Sequence, residues 1–250
     1  MRLHLRGLGY NSNRWLEDSH PFNVPAVQHI QQQGLRFTSP ITFFVGENGT
    51  GKTTVLESIA VRYPRIGAST PFLARTGTEL SLEDAPLGWN AELETTSNAV
   101  ADGFFLRAST LDALTQTLEA ETRPRIRGQT RGDRPEAASY RARSHGEGLL
   151  NVLRQHFDGR GFYLMDEPET ALSFQSTLSV AALLHSLAGT GSQVICATHS
   201  PLLLSLPGAQ ILEFGHWGVR ETSLEELELM RDWRSFLDHP ETWLRHLLSE

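Results

Sequence analysis

The sequence predicts an α/β domain built on a mostly parallel sheet flanked by helices. Three observations carry that expectation. First, ITFFV (41–45), GFYLM (161–165) and QVICAT (193–198) are continuous apolar runs rich in β-branched and aromatic residues, as strands covered on both faces require. Second, a helical pattern through SVAALLHSLAG (179–189), closed by a glycine, separates the last two runs and gives strand–helix–strand order. Third, a glycine-rich turn, GENGTGKTT (46–54), joins the first run to a helical stretch.

Taken in order, MRLHLRGL (1–8) alternates, with Leu3 and Leu5 on one face and Arg2, His4 and Arg6 on the other, which predicts a half-buried strand. A polar, proline-containing stretch, DSHPFNVPAVQHI, precedes the buried strand ITFFV. After the glycine turn, TTVLESIAV reads as a helix that Pro64 stops. Residues 64–102 are punctuated by Gly, Pro, Ser and Thr and give no clear period; GFFLRAS (103–109) is a further strand candidate. LDALTQTLE (111–119) predicts a short helix, and GEGLLNVLRQHF (146–157) places Leu149, Leu153, His156 and Phe157 on one helical face. QILEF (210–214) is another strand, and the last thirty residues read as helical and acidic.

Composition excludes several classes. With 250 residues, 39% hydrophobic and 20% charged, the chain is long enough to bury one large core. No apolar run approaches bilayer length, so no direct membrane insertion is expected, and MRLHLRGLGY lacks the apolar centre of a signal peptide. One cysteine, Cys196, rules out a disulfide within the chain, reads as a small core residue, and suits a cytoplasmic setting. A net charge of −7 argues against a wholly basic nucleic-acid binder. Residues 121–143 run the other way, with seven arginines against three acids. Only Tyr140 interleaves them, so a base-stacking groove is weakly supported; a solvated segment is favoured over a phosphate-backbone contact.

The chemistry centres on Lys52, the chain's only lysine beside 21 arginines. GENGTGKT fits G-x-x-x-x-G-K-[ST] between a strand and a helix. Its glycines allow successive N–H groups to face a phosphate chain, and the following helix adds its positive end. A compact ammonium fits inside such a loop where a planar guanidinium does not. Gly46, Glu47, Asn48, Gly49, Thr50, Gly51, Lys52, Thr53 and Thr54 are therefore the expected nucleotide-binding residues. The Thr53 hydroxyl is the expected Mg²⁺ ligand on the loop side. GFYLMDEPE ends a second strand in acids: Asp166 to hold the hydrated metal, Glu167 to polarise the attacking water. QVICATHSP repeats the design and offers His199 to the γ-phosphate and water. Without a phosphate loop, such an acid pair reads as a helix start and such a histidine as a capping group.

The order phosphate loop, SHGE (144–147), YLMDEPETALS, ATHS resembles the ABC-type ATPases. Within them it is similar to the small stand-alone AAA_21-like ATPases related to the SMC and RecF-like proteins. The likeness runs nearly end to end. It implies an N-terminal antiparallel β portion and an inserted helical lobe. The core lobe would take about 1–65 and 159–220, the insert 66–158 and a helical tail 221–250. It also implies an ATP-dependent homodimer in which Ser144, Gly146 and Glu147 of one copy complete the ATP site of the other. ETALS (169–173) matches the loop by which such subunits communicate. Read alone, Ser144 is a helix cap and Glu147 a first-turn acid.

Two departures stand out. SHGE replaces the transporter form L-S-G-G-Q, which favours a non-transporter role, with DNA repair or genome defence as settings by analogy. No glutamine occurs between Gly34 and Thr115, so the usual metal-contacting glutamine has no counterpart, and Arg107 or Ser109 falls in its neighbourhood. No residue is placed as the adenine stacker; Trp15 and Phe22 are offered for it, and both also read simply as packing residues. The alternatives are an ATP-binding subunit of an ABC transporter, or a non-catalytic nucleotide-dependent switch acting on an unknown client protein.

Overall fold

The computed structural model describes residues 3–13, 15, 18–63, 85–97, 99, 103–107, 160–170 and 172–248. The expected helices at 111–119 and 146–157, the arginine-rich segment, Ser109, Ser144, Gly146 and Glu147 lie outside them.

Among the described residues the strands are β1 (Leu5–Tyr10), β2 (Leu35–Arg36), β3 (Ile41–Val45), β4 (Ala91–Thr95), β5 (Gly103–Arg107), β6 (Phe162–Asp166), β7 (Gln193–Ala197), β8 (Gln210–Gly215) and β9 (Gly218–Thr222). The helices are α1 (Pro25–Gln33), α2 (Lys52–Arg62), α3 (Phe174–Gly189), the short α4 (Pro201–Leu204), α5 (Glu228–Asp238) and α6 (Pro240–Leu248). Six strands form one sheet in the order β5-β6-β7-β3-β8-β9, parallel except for the β8–β9 hairpin. A separate antiparallel sheet runs β2-β1-β4. The fold is the α/β architecture expected, with its N-terminal antiparallel portion.

The parallel strands are apolar throughout because both faces are covered. Phe43 and Val45 turn to one side of β3, with Met165, Cys196 and Ile211 of the neighbouring strands, against Val180, Leu184 and Leu187 of α3. Phe44 turns to the other, with Leu164, Ile195 and Phe214, against Val55, Leu56 and Ile59 of α2 and Val27 and Ile30 of α1. Truncating one of these phenylalanines would cost about 3–5 kcal/mol.

Four places differ from the sequence reading. His4 is fully buried rather than facing solvent with Arg6, because its Nε2 meets the Gly191 carbonyl at 3.1 Å. Its backbone N–H and that of Leu5 both donate to Gln193 Oε1 at 2.8 Å, while Gln193 Nε2 donates to the Leu5 carbonyl. One glutamine side chain thus ties β1 to the start of β7, and an alternating pattern is overridden by a partner far away in sequence. The proline-containing stretch contains α1, which Pro25 opens by supplying a preset φ where no N–H partner is needed, and Gly34 closes it. AELET forms β4 although charged, since it is an edge strand that buries little beyond Ala91. Glu221 and Thr222, expected in the helical tail, belong to β9.

Candidate functional site

The phosphate loop lies between β3 and α2, and its backbone dictates its glycines. Gly46, Gly49 and Gly51 have φ of 146°, 81° and 98°, values that side-chain-bearing residues rarely adopt. At Gly46 a Cβ would also stand 2.2 Å from the Phe214 carbonyl oxygen of β8. Gly51 is the N-cap of α2, so the helix begins at Lys52 with its free N–H groups turned to the loop. Lys52 is 5% exposed, and its Nζ donates to the Gly46 carbonyl at 2.6 Å and the Glu47 carbonyl at 2.9 Å. Burial pulls its pKa down, and Glu167, Asp166, Glu169 and Glu47 work against that by favouring the charged form.

The sheet register brings the acids to the loop. Arg107 of β5 pairs with Asp166 of β6, Asp166 with Ala197 of β7, and Ala197 with Phe44 of β3, one row across four strands at their C-terminal ends. In an open parallel sheet this is the edge where ligands bind. Thr53 Oγ1 donates to Asp166 Oδ1 at 3.2 Å, joining α2 to β6. Burial raises the Asp166 pKa and the neighbouring Glu167 adds to this, while the Thr53 hydrogen bond and the charges of Arg107 and Lys52 oppose it. Arg107 forms a close ion pair with Glu57, one turn beyond Thr53 on α2.

The Thr53 hydroxyl and the Asp166 carboxylate are hard oxygens already within reach of each other, a donor set that suits Mg²⁺. Among the described residues no group of three or more His, Cys, Asp or Glu is arranged to hold a metal. Magnesium here would therefore complete its shell with phosphate and water oxygens, its ordinary habit in nucleotide sites.

Glu167 follows β6 with φ 49°, the only non-glycine among the described residues in the left-handed region. Its N–H continues the ladder to the Ala197 carbonyl at 2.9 Å, so the strand pairing forces the turn that separates its carboxylate from that of Asp166. Strain of this kind persists where surrounding structure overrides it. His199 Nε2 lies 3.4 Å from Glu167 Oε1, in contact but outside hydrogen-bond geometry. Both side chains are about one-third exposed, while the His199 Nε2 atom itself is buried and makes no hydrogen bond among the described residues.

The structure therefore gathers the loop, Lys52, Thr53, Asp166, Glu167 and His199 at one edge. Trp15 and Phe22 do not join them: they pack edge to face on each other at 5.0 Å, Trp15 also contacts Tyr10, and Phe22 is buried. Both take the packing role that the sequence reading gave as their alternative. Two residues escaped the sequence reading. Glu57 is found only through the α2–β5 approach. Glu169 accepts from the Thr198 hydroxyl at 2.6 Å and the His199 N–H at 2.7 Å. Its signal is the third acid in DEPE, a position that the match of ETALS to a communication loop also covers.

The chain is similar to several known proteins. Residues 137–205 match the family described as "AAA domain, putative AbiEii toxin, Type IV TA system", and residues 26–61 match a second family described as "AAA domain". The chain is 28% identical over 214 residues to the cytochrome c biogenesis ATP-binding export protein CcmA of Paracoccus denitrificans (strain Pd 1222), covering 80% of this chain and 92% of that protein. Among solved structures it is similar to a chain titled "An inward-facing conformation of a putative metal-chelate type ABC transporter", at 15% identity and a TM-score of 0.44, covering 95% of this chain and 90% of that one. A second is the ATP-binding cassette MJ0796 in a dimeric post-hydrolysis state bound to ADP and Pi, at 17% identity and a TM-score of 0.42, covering 78% and 90%. Beside a phosphate loop and an acid-tipped strand in register, these matches make the chain similar to small ATP-binding domains of the ABC/AAA ATPase type. No described helix is long and apolar enough to cross a membrane.

Proposed function

We propose that the chain hydrolyses ATP with Mg²⁺ and that two copies close around the nucleotide. The observation that carries the reading is the row of adjacent strand ends. The loop follows β3, Asp166 and Glu167 end β6, and His199 follows β7, so all face one edge of the sheet. Lys52 and the loop N–H groups hold the phosphates, and Thr53 with Asp166 would hold the metal, which would supply positive charge to offset that of the phosphate oxygens. Glu167 takes the proton of the attacking water, and His199 orients that water and the γ-phosphate. The 3.4 Å gap between His199 and Glu167 leaves their polar atoms unspent on each other. Their partial exposure leaves one side of the site for a second copy, whose Ser144, Gly146 and Glu147 would supply the remaining phosphate contacts.

Glu167→Gln tests this directly. It should lower kcat by about 100-fold or more while ATP binding is retained, and an ATP-bound dimer should accumulate on size-exclusion chromatography. Hydrolysis at the parent rate would remove Glu167 from the mechanism.

Two observations bear on the setting and they favour different branches. The SHGE segment in place of the transporter signature supports a non-transporter ATPase. The similarity to CcmA, named as an export protein, supports the second reading, an ATP-binding subunit docked on a membrane complex. Recovery of an integral membrane protein with the tagged chain under mild detergent would decide for the second. ATPase stimulation by double-stranded DNA, single-stranded DNA or RNA would decide for the first.

A further inference from the structure

The acid that the proposed mechanism leaves without a task is Glu169. Its Oε1 accepts from the Thr198 hydroxyl at 2.6 Å and from the His199 backbone N–H at 2.7 Å, the short lengths of charge-assisted bonds. Thr198 Oγ1 in turn accepts from the Ser200 N–H at 3.0 Å, so three consecutive residues at the tip of β7 are pinned through one carboxylate. The other oxygen, Oε2, is buried and has no partner among the described residues. An acid serving only as a surface turn residue would leave that oxygen in water, because burying it unpaired is costly. The turn carrying Glu169 is itself tied to the base: the Thr170 N–H donates to the Glu167 carbonyl at 3.2 Å, and the Leu172 N–H to the Glu169 carbonyl at 2.8 Å. Glu167 and His199 come from different strands, and Glu169 is the side chain that refers both to one frame.

We propose that Glu169 is a positioning residue that holds the β7 tip so that the His199 imidazole faces the Glu167 carboxylate. The Glu169 Oε1 is committed to two donors of the β7 tip. The kinetic part of the test rests on the ATPase reading given above, and the spectroscopic part does not.

Three variants test it: Glu169→Ala, which removes both bonds; Glu169→Gln, whose amide oxygen can accept both; and Thr198→Val, which removes one without touching the acid. Glu169→Ala should lower kcat about tenfold or more with KM for ATP changed less than about twofold, since misplacement of a catalytic group acts on the chemical step. Glu169→Gln should recover kcat to within about threefold of the parent, and Thr198→Val should fall between them. In the nucleotide-free chain, the His199 backbone amide and imidazole NMR signals should move in Glu169→Ala and stay near their parent positions in Glu169→Gln. If Glu169→Gln is as slow as Glu169→Ala, the charge itself acts and the proposal is overturned. Parent-like kcat in Glu169→Ala overturns it equally. Should the parent show no ATP turnover at all, the hydrolysis reading fails by itself and the His199 signals decide: unmoved in Glu169→Ala and Thr198→Val, they refute the positioning role. A Glu169→Ala chain that does not fold leaves the Thr198→Val and Glu169→Gln pair, where equal kcat and equal His199 shifts in both refute it.

Discussion

The two halves of the site are built from different materials. The phosphate loop is a backbone device: its donors are N–H groups, its shape comes from glycines with positive φ, and one side chain, Lys52, completes it. The strand-end half is a side-chain device: Asp166, Glu167, Glu169 and His199 come from two strands and the turns after them, and meet only because β6 and β7 are in register. What the difference teaches is where each half is fragile. Backbone shape fails all at once when a Cβ is added, whereas a constellation of side chains loses one function at a time.

The largest expected effect lies in the loop. Gly46→Ala must move the Phe214 carbonyl, 2.2 Å from the added Cβ, and adopt a φ of 146°. It should destabilise the chain by about 3 kcal/mol, read as a drop in the urea midpoint, and abolish ATP binding with it. If Gly46→Ala melts like the parent, the loop is not the rigid device described.

Lys52→Met probes the one side chain of that half. ATP affinity by calorimetry should fall at least about thirtyfold, the cost of removing a buried charged partner. Stability in the absence of nucleotide should change by no more than about 1 kcal/mol, since losing two carbonyl bonds is offset by losing a buried charge. A variant that keeps parent affinity would break the contrast, because the loop would then bind by backbone alone.

The smallest effect sharpens it from the other side. Glu167 is a side-chain device resting on a strained backbone, with φ 49°. Glu167→Asn should be more stable than Glu167→Ala by about 0.5 kcal/mol, because asparagine tolerates the left-handed region better. Both should be equally inactive. Equal stability would mean that the turn relaxes once the carboxylate is gone.

The same contrast explains what could be read from the residues alone. The loop was legible because its geometry is written in contiguous residues: a glycine at each positive φ, then Lys52 and Thr53 at a helix start. The buried strands were legible because two covered faces need unbroken apolar runs. Asp166, Glu167 and His199 could be inferred from their place after such runs, but the 3.4 Å approach of His199 to Glu167 could not, since it depends on strand order. Glu57 and Arg107 meet between a helix and a strand separated by fifty residues of chain, and no local pattern announces that. His4 misled because alternation assigns faces only to an isolated strand, and the start of β7, in the other sheet, stands on the polar side. Trp15 and Phe22 were drawn toward adenine by being aromatic and near the loop in sequence, and each other's rings proved the nearer partner.

The ammonium of Lys52 grips two carbonyl oxygens of its own loop. The loop is therefore tied to its own cation, which fixes where those two oxygens stand. A change at either end of that tie, in the ammonium or in the turn that offers the carbonyls, is felt at the other.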